Sequence, residues 1–261
     1  MSVFEALILG FIQGLTEFFP ISSSAHLKVA KLVLSIDETQ NLVIFDLMCH
    51  LGTLTAAIVF LQKEIICLFQ KRKKAFVLLG ALLPLIPFYF LLKPVREYAS
   101  QTHLLGFFLL LTGMILFLGQ RVQFKRKEEH TFQTEMKDAL WIGVSQASAL
   151  IPGISRSAST ISCARMLGWN AKEAVEFSFL LSIPTILGGN CLELLRMFFS
   201  STPLPSVSLS CLLAGFFSSA LVGLIIIRYA MRILTSGKLS FFSWYCFICG
   251  FLLIIVLNST L

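Results

Sequence analysis

Gln13-Gly-Leu-Thr-Glu17-Phe-Phe-Pro20-Ile-Ser22-Ser23-Ser24-Ala25-His26 is the stretch on which the fold turns. It lies inside an apolar region, residues 3–34, yet it carries an amide, a carboxylate, a proline, three consecutive serines and a histidine. A straight membrane-crossing helix needs about 20 apolar residues in a row. Irregular polar backbone at membrane depth is tolerated only against protein or a wet cavity. The stretch therefore reads as the turn of a re-entrant helical hairpin. A second region of the same kind, 139–163, is broken by Gln146, Pro152, Gly153, serines and Arg156.

That reading requires a bilayer, and the composition agrees. Of 261 residues, 56% are hydrophobic and only 13% charged, with a mean hydropathy of +0.84. A soluble domain carries about 25% charged residues, so a soluble enzyme is excluded, as are a disordered chain, a collagen-like fibre and a disulfide scaffold. Charge-free stretches at 47–62, 75–92, 98–120, 177–192, 197–227 and 239–261 suit six spans. These are centred near 44–61, 75–92, 104–119, 177–195, 207–227 and 241–257. The expected fold is an all-α integral membrane protein with six transmembrane helices plus two re-entrant helical hairpins.

The net charge of +7 then concerns orientation, and no nucleic-acid partner is expected. Fifteen basic residues fall on one side: Lys63, Lys71–Lys74, Arg121, Lys125, Arg126, Lys127, Lys137, Arg165, Lys172, Arg228, Arg232 and Lys238. Lys93, Arg96 and Arg196 fall on the other. The richer side is expected to be cytoplasmic, with both chain ends outside. No basic run precedes Lys28, so no signal peptide is expected.

The two hairpins resemble each other. Gly10-x-x-Gln13 recurs as Gly143-x-x-Gln146, and Ile21-Ser22-Ser23-Ser24-Ala25 as Ile154-Ser155-Arg156-Ser157-Ala158, both 133 positions on. Each half is then a hairpin plus three spans, 1–119 and 120–261, within one membrane domain, 1–261. Three spans per half make the repeat inverted, which places a shared site at the repeat interface near the midplane. Chance similarity in a Ser-, Ala- and Ile-rich alphabet is the competing explanation, against which the charge-derived topology argues.

The polar residues of the hairpins carry the chemistry. A carboxylate at the bilayer centre costs about 2.5–3.5 kcal/mol or more, so Glu17 asks for a function or a partner. Gln13 and Glu17 share a helix face. They suit a hard cation, Mg²⁺ or Ca²⁺, completed by phosphate and water; the alternative is a carboxylate paired with a basic residue. Pro20 and Ser22–Ser24 favour a helix start, whose free N–H groups suit an anion. Ser22 or Ser23 shares a face with His26, as a nucleophile with its base or as a phosphate ligand with a proton donor. A serine-rich cap with one satisfied histidine is the plainer reading. Arg156 fits a phosphate bidentately or a salt bridge to Glu17. Cys246-x-x-Cys249 lies in an apolar span and reads as filler, and Asp46 with His50 as a packing or cavity pair.

The run from Gln13 to His26 is similar to the first signature of the bacterial undecaprenyl-diphosphatase (bacitracin-resistance) family. Pro152-Gly-Ile-Ser155-Arg156-Ser157-Ala158-Ser-Thr160 resembles its second. His50-Leu-Gly-Thr-Leu54 and Phe177-Ser-Phe-Leu-Leu-Ser-Ile-Pro184 also read like the family. The resemblance implies hydrolysis of undecaprenyl diphosphate to undecaprenyl phosphate at a site open to the outer, periplasmic face of a bacterial inner membrane, with a divalent cation. It implies that Glu17, Ser23, His26 and Arg156 are catalytic. Ser22, Ser24, Ser155, Ser157 and Thr160 would bind substrate, and Glu17 with Gln13 would hold the metal. Ser23 as nucleophile, with His26 as base or acid, and direct attack by metal-bound water both remain open. Ala25 and Ala158 stand where the family usually has Gly, which would restrict positive φ and close approach. The bilayer and the lipid diphosphate are the expected partners, and a second copy of the chain is a candidate one. A membrane transporter or flippase of a lipid phosphate is the alternative function.

Overall fold

Ser2 opens the chain with a capping box: its hydroxyl accepts from the Glu5 N–H and the Glu5 carboxylate accepts from its own N–H. Helix α1, Val3–Thr16, follows, and α2 is Ser23–Val33. The computed structural model describes residues 1–36, 42–122, 131–199 and 207–258. Lys125, Arg126 and Lys127, counted above for orientation, lie outside them.

Six stretches are long and apolar enough to cross a membrane: Val43–Phe60, Arg72–Leu91, Thr102–Arg121, Ala171–Phe199, Leu209–Thr235 and Ser240–Asn258. They fall where the charge-free stretches predict spans. The first is helix α3, and α4, Gln62–Gln70, continues from it. The second span is divided into α5, Arg72–Gly80, and α6, Leu85–Leu91. Pro84 sits at the junction, where it offers no N–H to the turn before it. Helix α7 is Lys93–Ala99, α8 Leu105–Arg121, α9 Phe132–Ala147, α10 Arg156–Met166, α11 Ala171–Phe199, α12 Leu209–Thr235 and α13 Ser240–Asn258. No strand occurs among the described residues.

The apolar regions expected to break do break. In the first, α1 stops at Thr16 and α2 begins at Ser23. In the second, α9 ends in a 3₁₀ turn, Ser148–Leu150, before α10. At 1.5 Å per residue α1 and α9 reach only about 21 and 24 Å, short of the roughly 30 Å hydrocarbon core. Helix α9 starts at Phe132, seven residues ahead of the expected 139. Thr131 caps it, and its first turns carry Glu135, Lys137 and Asp138, which a charge-gap reading assigns to a loop.

Small residues let backbones meet. Both α1 and α3 pack on α12, where Gly215, Ser219 and Gly223 recur every four residues. A Cβ on Gly10 would lie 2.6 Å from the Gly215 carbonyl oxygen, and one on Gly52 would meet the Phe216 carbonyl and the Ser219 hydroxyl. Helix α8 packs on α13, and α9 on α5 and α6. Elements from before and after the 123–130 segment thus interlock.

Candidate functional site

Glu17 closes α1 as its C-cap and is buried. One turn earlier, Gln13 donates from Nε2 to Glu17 Oε2 at 2.8 Å. The chain then bends back, so the first residue of α2 returns to the same carboxylate, and Ser23 Oγ donates to Oε2 at 2.8 Å. From α10, Arg156 Nη2 donates to Oε1 at 2.9 Å. Residues 139 positions apart in sequence therefore meet on one carboxyl group. Charge explains the meeting, because each of these two buried ions would be costly alone. Arg156 Nη1 also reaches the Ser178 carbonyl at 3.4 Å.

His50 of α3 completes the cluster. Its Nδ1 lies 2.8 Å from Gln13 Nε2 and 3.6 Å from Glu17 Oε2. An amide nitrogen only donates, so Nδ1 accepts and the His50 proton sits on Nε2. The sequence assigns His50 a secondary, packing or cavity role; a histidine inside the charge-free stretch 47–62 is the available signal. Asp46, its neighbour one turn earlier, pairs instead with Lys31 of α2 at 2.6 Å.

His26 and Ser23 share no hydrogen bond. His26 Nδ1 contacts the Ser22 carbonyl and Nε2 the hydroxyl of Tyr245 on α13, both at 2.8 Å. Ser22 holds φ +66° without glycine's freedom, and its hydroxyl contacts the exposed Ser24 at 3.2 Å. No side chain caps α2. The start of α10, by contrast, is closed, because Ser155 Oγ accepts from the Ala158 N–H at 3.2 Å.

Most of the remaining hydroxyls of the second break are engaged, whereas Ser162 Oγ is buried without a hydrogen-bond partner. Ser157 Oγ donates to the Phe19 carbonyl at 3.2 Å, tying the two breaks together. Thr160 bonds the Arg156 carbonyl and the Ser178 hydroxyl. Thr112 of α8 holds the break itself, donating to the Gly153 carbonyl and accepting from the Ser155 N–H. Gly153 has φ +98°, and a Cβ there would lie 2.7 Å from Phe108 Cβ. Ala25 and Ala158 sit inside helices with no positive φ, so their methyl groups meet no backbone conflict.

Among the described residues no group of three or more His, Cys, Asp and Glu could hold a metal ion. Gln13 Oε1, however, is buried without a hydrogen-bond partner. A buried carboxylate beside a buried, unpaired amide oxygen fits a hard cation that takes its other ligands from substrate and water.

On the other side of α1 and α2 lies an apolar cavity of about 790 Å³. His26, Phe19, Ile21 and Tyr245 line it, while Glu17, Ser23 and Arg156 do not.

The arrangement is a paired carboxylate and guanidinium, a hydroxyl on the carboxylate and an open helix N-terminus, all at helix breaks among apolar spans. The model of the family described as bacitracin resistance protein BacA matches residues 6–252. An undecaprenyl-diphosphatase of Protochlamydia amoebophila is 39% identical, with 96% of each chain covered. Those of Carboxydothermus hydrogenoformans and Halothermothrix orenii are 37% and 36% identical, with 98% of each chain covered. With a family model matched almost end to end and relatives of its own length, this chain belongs to the bacitracin resistance protein BacA family.

Proposed function

We propose that this protein hydrolyses undecaprenyl diphosphate to undecaprenyl phosphate and inorganic phosphate, returning the lipid carrier to cell-wall synthesis. The observation that carries the reading is Glu17, which gathers Gln13, Ser23 and Arg156 from two helix breaks. The printed activity of the relatives agrees with it.

The diphosphate draws Arg156 away from Glu17, because a guanidinium fork pairs with phosphate oxygens in two parallel bonds. Its other oxygens meet the uncapped N–H groups of α2. Ser23 Oγ, already on Glu17 Oε2, attacks the terminal phosphorus and its proton passes to that carboxylate. The bond from phosphorus to the bridging oxygen breaks and undecaprenyl phosphate departs with that oxygen. Water then attacks the phosphoserine, releasing phosphate and restoring the hydroxyl. Little of this is covalent work for the protein; positioning and charge neutralisation dominate phosphoryl transfer. A divalent cation held by Glu17 and Gln13 would supply further neutralisation of the diphosphate.

The lengths of α1 and α9 support re-entrant hairpins at 3–34 and 139–163. The recurrence of Gly10-x-x-Gln13 supports an inverted repeat of 1–119 on 120–261. The charge bias supports an inner-membrane protein whose site opens to the outer face.

The test is phosphate release from undecaprenyl diphosphate in detergent. Wild type is expected to turn over, and Glu17→Ala and Arg156→Ala to lose at least about 10³-fold. Lipid flipping in vesicles without phosphate release would overturn the reading in favour of a transporter.

A further inference from the structure

A carbonyl oxygen only accepts hydrogen bonds. The 2.8 Å contact between His26 Nδ1 and the Ser22 carbonyl therefore places a hydrogen on Nδ1. Nε2 of the neutral ring then has only a lone pair, and the Tyr245 hydroxyl, 2.8 Å away, must be the donor. The two rings also stack, with centroids 5.8 Å apart and planes 11° from parallel.

The tyrosine is itself held in register. Phe242, one turn earlier on α13, stacks on Phe19 at 5.3 Å. Cys246, the next residue, brings Sγ to 3.8 Å from the Pro20 carbonyl. Helix α13 thus grips the first helix break on both sides of Tyr245. Around the contact the wall of the cavity is apolar, with Ile21, Ala25 and Val29 beside His26. Without the phenol, Nε2 would face hydrocarbon.

We propose that Tyr245 is a positioning residue that holds His26 in place through both of its protonation states. A phenol is donor and acceptor at once. It donates to Nε2 of the neutral ring and, after a rotation about its C–O bond, accepts from the N–H of the imidazolium. The Ser22 carbonyl keeps its bond to Nδ1 in either state. His26 can therefore take up and release a proton beside the serine-rich start of α2 without leaving its place. Phenylalanine can make neither bond, although it preserves the stacking. The inference rests on the hydrolase reading and adds to it that His26 exchanges a proton during turnover.

The chain has four histidines, so histidine-labelled protein in bilayers gives an NMR spectrum that can be assigned by removing them singly. Wild type is expected to show His26 as the neutral Nδ1–H form, and Tyr245→Phe to shift or split that signal. In turnover, Tyr245→Phe is expected to lower kcat about tenfold with KM unchanged, the equivalent of one hydrogen bond. In a His26→Ala background it should cost nothing more. An unchanged His26 tautomer with wild-type kcat in Tyr245→Phe would overturn the proposal, as would losses from the two substitutions that multiply. If wild type released no phosphate, the hydrolase reading would fail, and the NMR arm would still decide the role of Tyr245.

Discussion

Glu17 Oε1 faces a guanidinium, while Oε2 takes an amide hydrogen and a hydroxyl hydrogen. The division predicts different outcomes for its neighbours. Arg156→Lys keeps the charge but loses the planar fork, and kcat for phosphate release is expected to fall on the order of tenfold to a hundredfold. His50→Ala removes one acceptor from Gln13 and is expected to lower kcat about tenfold, whereas Asp46→Ala, whose carboxylate serves Lys31, should leave kcat within about twofold. Steady-state kinetics on the three variants checks the ranking. Glu17 and Arg156 were legible in the sequence because a charge inside an apolar run stands out against it. His50 stood out less, being a single neutral ring. Tyr245 gave no signal, because one more aromatic residue in an apolar span has no contrast. That His26 bonds Tyr245 rather than Ser23 depends on how α13 docks, which spacing along α2 does not encode.

Helices α1, α3 and α12 meet through glycine and serine, so their packing has little room for added atoms. Gly52→Ala would drive a methyl group into the Phe216 carbonyl and Ser219. It is expected to destabilise the protein by about 1–3 kcal/mol, read as a lower thermal midpoint in detergent. Gly188 of α11 has nothing within 4 Å of its missing Cβ, and Gly188→Ala should leave the midpoint unchanged or raise it slightly. The six spans were legible because a charge-free stretch of about 20 residues has one good use. The division of Arg72–Leu91 at Pro84 was not read, because the stretch remains apolar from Ala75 to Leu91. The early start of α9 was missed for the opposite reason: its first turns are charged and still helical.

At the scale of the molecule, orientation is the expectation most open to a direct test. In a background lacking the seven native cysteines, Lys73→Cys should react with a membrane-impermeant maleimide only from the cytoplasmic side. Arg96→Cys should react only from outside, and the reverse pattern would invert the topology. The side was expected from the charge distribution. The interlocking of α1 and α3 with α12 was not, because no composition pattern says which spans touch. The pair of Glu17 with Arg156, which joins the two breaks, has a further consequence. On the proposed mechanism the enzyme at rest carries its own competitive inhibitor: a tethered carboxylate occupies the seat that the incoming diphosphate takes. A ligand evicts it only by bringing more negative charge and more contacts than that carboxylate offers. The diphosphate brings a second phosphate group and an apolar chain to the contest, both of which released inorganic phosphate lacks. Product inhibition by phosphate should therefore be weak in wild type. Phosphate itself should bind more tightly to Glu17→Gln, which frees the arginine while abolishing turnover, and a phosphate-binding titration of the two proteins would show the difference.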